Sequence, residues 1–102
     1  MNKISIELLI LFFYNIYRVI IMDYKYTSRS ERDTMELAQN IESEKFPGMI
    51  ICLNGELGSG KTVFVKGFAQ ALGIDETITS PTFNLVKEYL SGEMPLYHMD
   101  VY

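Results

Sequence analysis

Met49-Ile50-Ile51-Cys52-Leu53-Asn54-Gly55-Glu56-Leu57-Gly58-Ser59-Gly60-Lys61-Thr62 is the stretch on which the fold turns. Its second half, Gly55 to Thr62, has the spacing G-x-x-x-x-G-K-[ST] of a P-loop, or Walker A motif. At ordinary glycine usage this pattern arises by chance in roughly one chain in 300 of this length. Glycines let a backbone turn tightly enough to aim several N–H groups at one phosphate. Glu56, Leu57, Gly58, Ser59, Gly60, Lys61 and Thr62 are therefore the expected nucleotide-binding residues. Lys61 reaches the β- and γ-phosphates in such a loop, and the Thr62 hydroxyl is offered to Mg²⁺.

The flanks agree with this reading. Met49 to Leu53 is a short apolar run rich in β-formers, as a buried parallel strand requires, and Pro47-Gly48 punctuates its start. After the loop, Phe64, Phe68, Ala71 and Leu72 share one helical face, and Gly73 is placed to end that helix. The helix N-terminus then directs its partial positive charge at the phosphates. The plainer alternative is a glycine-rich turn without a ligand.

A length of 102 residues permits one domain. A net charge of −4 argues against a broad basic surface for nucleic acid, while leaving room for local phosphate binding. The single Cys52 cannot form an internal disulfide and reads as a buried structural thiol in a reducing cytoplasm. Ile4 to Ile21 is strongly apolar but carries Glu7, Asn15 and Arg18, which makes a membrane span unfavourable. Residues 1–21 read as an apolar N-terminal extension, either a short helix or the product of a misassigned start codon. The patterned domain begins at Met22.

Asp23 to Thr27 alternates as a first strand. Ser30 followed by Asp33 resembles a capping box, and the helix it opens runs to about Glu44 with Met35, Ala38 and Ile41 inward. Asn84 to Leu90 and Leu96 to Tyr102 read as strands joined by a turn at Ser91-Gly92-Glu93. The order of elements says α/β, with a hairpin beyond the P-loop helix. A strand at the very end, with no polar tail, reads as a cut.

Two further signals follow the loop. Asp100 closes an apolar strand downstream of a P-loop, the Walker B arrangement, and is the expected second Mg²⁺ ligand. Its plainer reading is a solvated edge residue. His98 is the only histidine and shares that strand face; it either orients Asp100 or is an ordinary hydrogen-bonded histidine. Thr79-Ser80-Pro81-Thr82-Phe83 lies where P-loop enzymes keep a segment that senses the γ-phosphate, unless it is a simple turn fixed by Pro81.

Gly55–Thr62, Ser80-Pro81-Thr82-Phe83-Asn84-Leu85-Val86 and Tyr97-His98-Met99-Asp100-Val101-Tyr102, in that order, closely resemble the TsaE family. These are the bacterial ATPases of tRNA threonylcarbamoyladenosine biosynthesis. The resemblance covers about Met22 to Tyr102. It implies an α/β, P-loop NTPase-like sheet with flanking helices, incomplete at its C-terminal end, so that residues 22–102 are the N-terminal two-thirds of a P-loop ATPase domain. In the family the last Tyr is followed by Arg, and a later Glu-Trp-Pro motif contributes to the metal site. The resemblance also implies a cytoplasmic protein that binds ATP and Mg²⁺ and supports modification of adenosine 37 in tRNAs reading codons that begin with A. Its implied partners are the TsaD and TsaB subunits of the modifying complex, with tRNA engaged indirectly. Lys61 and Asp100 are the implied catalytic residues, and Thr62 and Asp100 the implied metal ligands.

Whether this chain hydrolyses ATP is left between two readings: an ATPase that resets a tRNA-modifying complex, and a nucleotide-sensing interaction module without hydrolysis of its own. A small-molecule kinase is a third reading, disfavoured because no lid or Arg-rich acceptor segment is visible in the sequence.

Overall fold

Residues 4–15, 18–54, 60–79 and 86–99 are described by a computed structural model of the chain. The chain starts rich in β-branched and aromatic residues: Ile4, Ile6, Ile10, Phe12 and Phe13, then Val19, Ile20 and Ile21. Such residues lose rotamer freedom in a helix and suit a pleated strand. They form β1 (Ile4–Asn15) and β2 (Arg18–Ser28), where a short helix was one of two expectations. The two pair antiparallel from Ile4↔Ser28 to Asn15↔Arg18, with a register shift between Phe13 and Asn15. The strand expected at Asp23–Thr27 is the second half of β2, which runs without a break through residues 21 and 22.

Helix α1 (Glu31–Ser43) starts where the sequence says it should. The Ser30 hydroxyl accepts the Asp33 N–H at 3.1 Å. Asp33 answers by accepting the Arg29 N–H at 3.1 Å, one residue before the cap. Thr34, Ala38 and Glu42 form its fully buried stripe, while the expected Met35 and Ile41 are half-buried. Glu42 tolerates burial because Lys45 Nζ lies 2.7 Å from its carboxylate. Lys45 also reaches Glu93 at 3.4 Å, and the hydrogen bond to Glu42, ahead of the Glu93 contact, raises its pKa above the ordinary 10.5.

Strand β3 (Ile50–Asn54) corrects one expectation. It is not a buried parallel strand: it pairs antiparallel with β1, with Leu8↔Leu53 and Ile10↔Ile51 in register. It is half-buried along its middle and exposed at both ends, and Cys52 is accordingly half-buried rather than buried. The sheet order is β2-β1-β3. Both outer strands are antiparallel to β1, so β2 and β3 run in the same direction, linked through α1.

Helix α2 (Lys61–Ala71) sits at the centre of the core. Phe64 and Phe68 are buried, with ring centroids 6.3 Å apart. Ala71, expected on this face, is half-buried. Gly67 is buried against α1: a Cβ there would lie 3.1 Å from both Ala38 Cβ and Met35 Cα. Gly73 ends the helix at φ 81°, a left-handed conformation that suits glycine. Ile74 and Ile78 continue the core beyond the helix.

The expected hairpin is present as β4 (Val86–Tyr89) and β5 (Leu96–Met99), antiparallel with Val86↔Met99 and Tyr89↔Leu96 in register. Its connection docks on the end of α2, where the Glu93 N–H donates to the Leu72 carbonyl at 2.8 Å. Among the described residues the whole is a mixed helix-and-strand domain of the α/β kind.

Candidate phosphate-binding site

Two helix starts in this chain are built in opposite ways. In α1 a side chain caps the first turn, and Glu31 and Asp33 add negative charge there. In α2 the N-cap is Gly60, which makes no side-chain cap hydrogen bond, and the first turn carries no acid. A helix leaves its first N–H groups without intrahelical partners. In α1 Ser30 takes one of them; in α2 Gly60 has no side chain to do so. With Lys61 in that first turn, the end of α2 has the donors and the positive charge that an anion requires.

Gly60 has φ 90° and ψ 12°. Space does not dictate glycine here, because an added Cβ would meet Thr34 Oγ1 only at 3.7 Å, an ordinary contact. The positive φ dictates it. The Gly60 carbonyl accepts the Phe64 N–H at 2.9 Å and starts the helical ladder. Phe64 is 2% exposed, so the core anchors the first turn directly behind the site. Lys61 is half-buried and Thr62 is exposed. Thr34 of α1, 2% exposed, lies beside Gly60 and donates its hydroxyl to the Ser30 carbonyl at 3.4 Å. Sequence reasoning missed Thr34, whose only trace is a polar residue in step with Ala38 and Glu42.

β3 ends at Asn54 and α2 begins at Lys61, so the motif joins a strand to a helix. Glu56, Leu57, Gly58 and Ser59 lie outside the described residues, as do Ser80 to Phe83 and Asp100. Of the expected site, Gly60, Lys61 and Thr62 are therefore placed together. β5 ends at Met99, directly before Asp100, and His98 is half-buried opposite Lys87. Thr62 supplies a hydroxyl oxygen, the hard donor type that Mg²⁺ takes. Among the described residues no cluster of three or more His, Cys, Asp or Glu could hold a metal ion. Among them also, no helix is long and apolar enough to cross a membrane.

Beyond the site, Thr79 is tied to β4. Its N–H donates to the Tyr89 hydroxyl at 3.2 Å, and that hydroxyl donates to the Thr79 carbonyl at 3.3 Å. Lys87 Nζ donates to Thr79 Oγ1 at 2.6 Å and lies 5.5 Å from the centre of the Tyr89 ring.

Comparison with known proteins adds a family. Residues 28–102 match the family model described as "Threonylcarbamoyl adenosine biosynthesis protein TsaE". Three proteins named tRNA threonylcarbamoyladenosine biosynthesis protein TsaE are similar over much of the chain. The Bacillus subtilis (strain 168) protein is 46% identical over 78 residues, covering 76% of this chain and 49% of that protein. The protein of Synechocystis sp. PCC 6803 is 48% identical over 69 residues, covering 68% and 44%. That of Treponema pallidum (strain Nichols) is 49% identical over 75 residues, covering 74% and 55%. The chain spans about half the length of these curated relatives.

Proposed function

The chain belongs to the TsaE family, and from that premise we propose that it binds Mg·ATP at the start of α2 in the service of tRNA threonylcarbamoylation. The modified base is adenosine 37 of tRNAs that read codons beginning with A. The partners are the TsaD and TsaB subunits, tRNA is engaged through them, and the setting is the cytoplasm. The α/β framework is, on this reading, that of a P-loop NTPase.

One observation carries the proposal. The first turn of α2 is capped by a left-handed glycine instead of a side chain, carries Lys61, and lacks an acid, whereas α1 is capped and acidic. The glycine and the lysine are the last Gly and the Lys of G-x-x-x-x-G-K-[ST]. The first-turn amides orient the phosphates, and Lys61 offsets the charge that grows on the transferred phosphoryl oxygens. The Thr62 hydroxyl and the Asp100 carboxylate would hold Mg²⁺, which when bound would neutralise phosphate charge. By the spacing of the motif, Glu56 to Ser59 would supply further backbone amides to the phosphates.

A second reading is a nucleotide-sensing module without hydrolysis. It shares the phosphate-binding first turn of α2 and differs only in lacking turnover.

Calorimetric titration of the full chain with Mg·ATP tests the reading, with Lys61→Ala beside it. The expected result is saturable binding weakened at least tenfold by the substitution, roughly the scale of a lost charge-assisted phosphate contact. Equal binding by both proteins would remove Lys61 from the site. Phosphate release in the presence of TsaB and TsaD then separates the ATPase from the sensing module.

A further inference from the structure

Among the described residues Gly48, Gly60 and Gly73 have positive φ. Where a Cβ would stand, Gly48 and Gly73 meet nothing within 4 Å, whereas Gly60 meets Thr34 Oγ1 at 3.7 Å and Thr34 Cγ2 at 3.9 Å. Thr34 is 2% exposed, and its N–H and its hydroxyl both donate to the Ser30 carbonyl, at 3.2 Å and 3.4 Å. A hydroxyl bond to the carbonyl four residues back selects the side-chain rotamer, so both γ atoms stand fixed beside Gly60. The first turn of α1 that carries them is held in turn by the Ser30 cap. Further along, α1 packs closely on α2 at Gly67, where a Cβ would lie 3.1 Å from Ala38 Cβ.

We propose that Thr34 is a positioning residue for the phosphate-binding turn: its two γ atoms form a wall that keeps Gly60 left-handed. Glycine takes either sign of φ with about equal ease, so Gly60 alone does not keep its own N–H in line with those of Lys61 and Thr62. The Phe64 N–H fixes the Gly60 carbonyl, on the α2 side of the residue. Thr34 limits the turn about its N–Cα bond. Donors fixed before the anion arrives spare the cost of ordering them at binding. This inference rests on the nucleotide reading above and adds to that site a residue from outside the motif.

Thr34→Ala removes both γ atoms, while Thr34→Val, in the rotamer that Val favours in a helix, keeps an atom at each γ position. Ala38→Gly, one turn further along α1, is the control for lost stability alone. Two quantities are read on the full chain: affinity for Mg·ATP by calorimetry and, without nucleotide, the two amide–Hα couplings of Gly60. Those couplings differ when φ is held near 90° and converge when both signs are sampled. Thr34→Ala is expected to bring the couplings together and to weaken Mg·ATP about fivefold, the scale of fixing one residue's backbone. Thr34→Ser, which drops only the methyl, should move both readouts the same way to a smaller extent and serves if Thr34→Ala does not fold. Thr34→Val and Ala38→Gly should keep the couplings apart and the affinity within about twofold. Unchanged affinity or unchanged couplings in Thr34→Ala overturn the wall, as does Thr34→Val behaving like Thr34→Ala. An equal loss of affinity in Ala38→Gly makes the effect one of stability and overturns the positioning role. If the wild-type chain does not bind Mg·ATP, the nucleotide reading fails and takes this role with it, while the couplings still report whether Thr34 holds Gly60.

Discussion

Replacing Gly67 by alanine sets two effects of known size against each other. Glycine in a helix interior costs about 1 kcal/mol relative to alanine, so Gly67→Ala should stabilise α2 taken alone. The added methyl, however, would sit 3.1 Å from Met35 Cα, 3.1 Å from Ala38 Cβ and 3.3 Å from the Met35 carbonyl. Two of those three atoms are α1 backbone, which cannot rotate away. Overpacking of this kind costs about 1–3 kcal/mol. The overpacking term wins, and the net expectation is a loss of about 1 kcal/mol. For a domain of this size that lowers the melting temperature by about 4–8 °C. Urea and thermal unfolding followed by circular dichroism read both quantities. Lys66→Ala, at an exposed position of the same helix, is the control and should change stability by less than about 0.5 kcal/mol. A Gly67→Ala protein more stable than wild type by about 1 kcal/mol would mean that propensity alone operates. The close approach of α1 and α2 would then be refuted.

Other expectations are as specific. Ser30→Ala removes the acceptor for the Asp33 N–H and should cost about 1 kcal/mol in chemical unfolding; no loss would show that α1 starts elsewhere. The raised pKa of Lys45, held up first by its hydrogen bond to Glu42 and then by Glu93, makes a signed statement about pH. The stabilisation is complete below the ordinary value of 10.5 and is lost as pH rises through the higher folded value. Stability measured from about pH 9 to about pH 12 should fall more steeply for wild type than for Lys45→Gln, and parallel curves would dissolve the pairing. Lys61→Ala should leave the melting temperature within about 2 °C, since Lys61 is outside the core, while abolishing most ATP affinity.

Local signals in the sequence are legible. Ser30 with Asp33 marks the start of α1, Gly73 marks the end of α2, and Ser91-Gly92-Glu93 marks the hairpin connection, each through chemistry confined to a few residues. Long-range pairing is not. An apolar run such as residues 4–15 has no period that separates strand from helix, and its place between β2 and β3 depends on partners about 40 residues away in sequence, as Leu11↔Ile50 shows. Hydrophobicity draws the buried stripe of α1 through Ile41, but Glu42 takes that place because Lys45 neutralises it, a pairing that an apolar pattern does not register. At the site, Gly60, Lys61 and Thr62 are legible because their spacing is local. Thr34 beside Gly60 and Tyr89 on Thr79 are not, because each acts on a residue that only the fold brings near.

The most direct measurement is a titration of the isotope-labelled full chain with Mg·ATP, following backbone amide resonances. The account predicts saturable shifts at Gly60, Lys61 and Thr62, with the capped start of α1, Glu31 to Asp33, moving far less. Shifts absent from the first turn of α2, or no larger there than at α1, would contradict it.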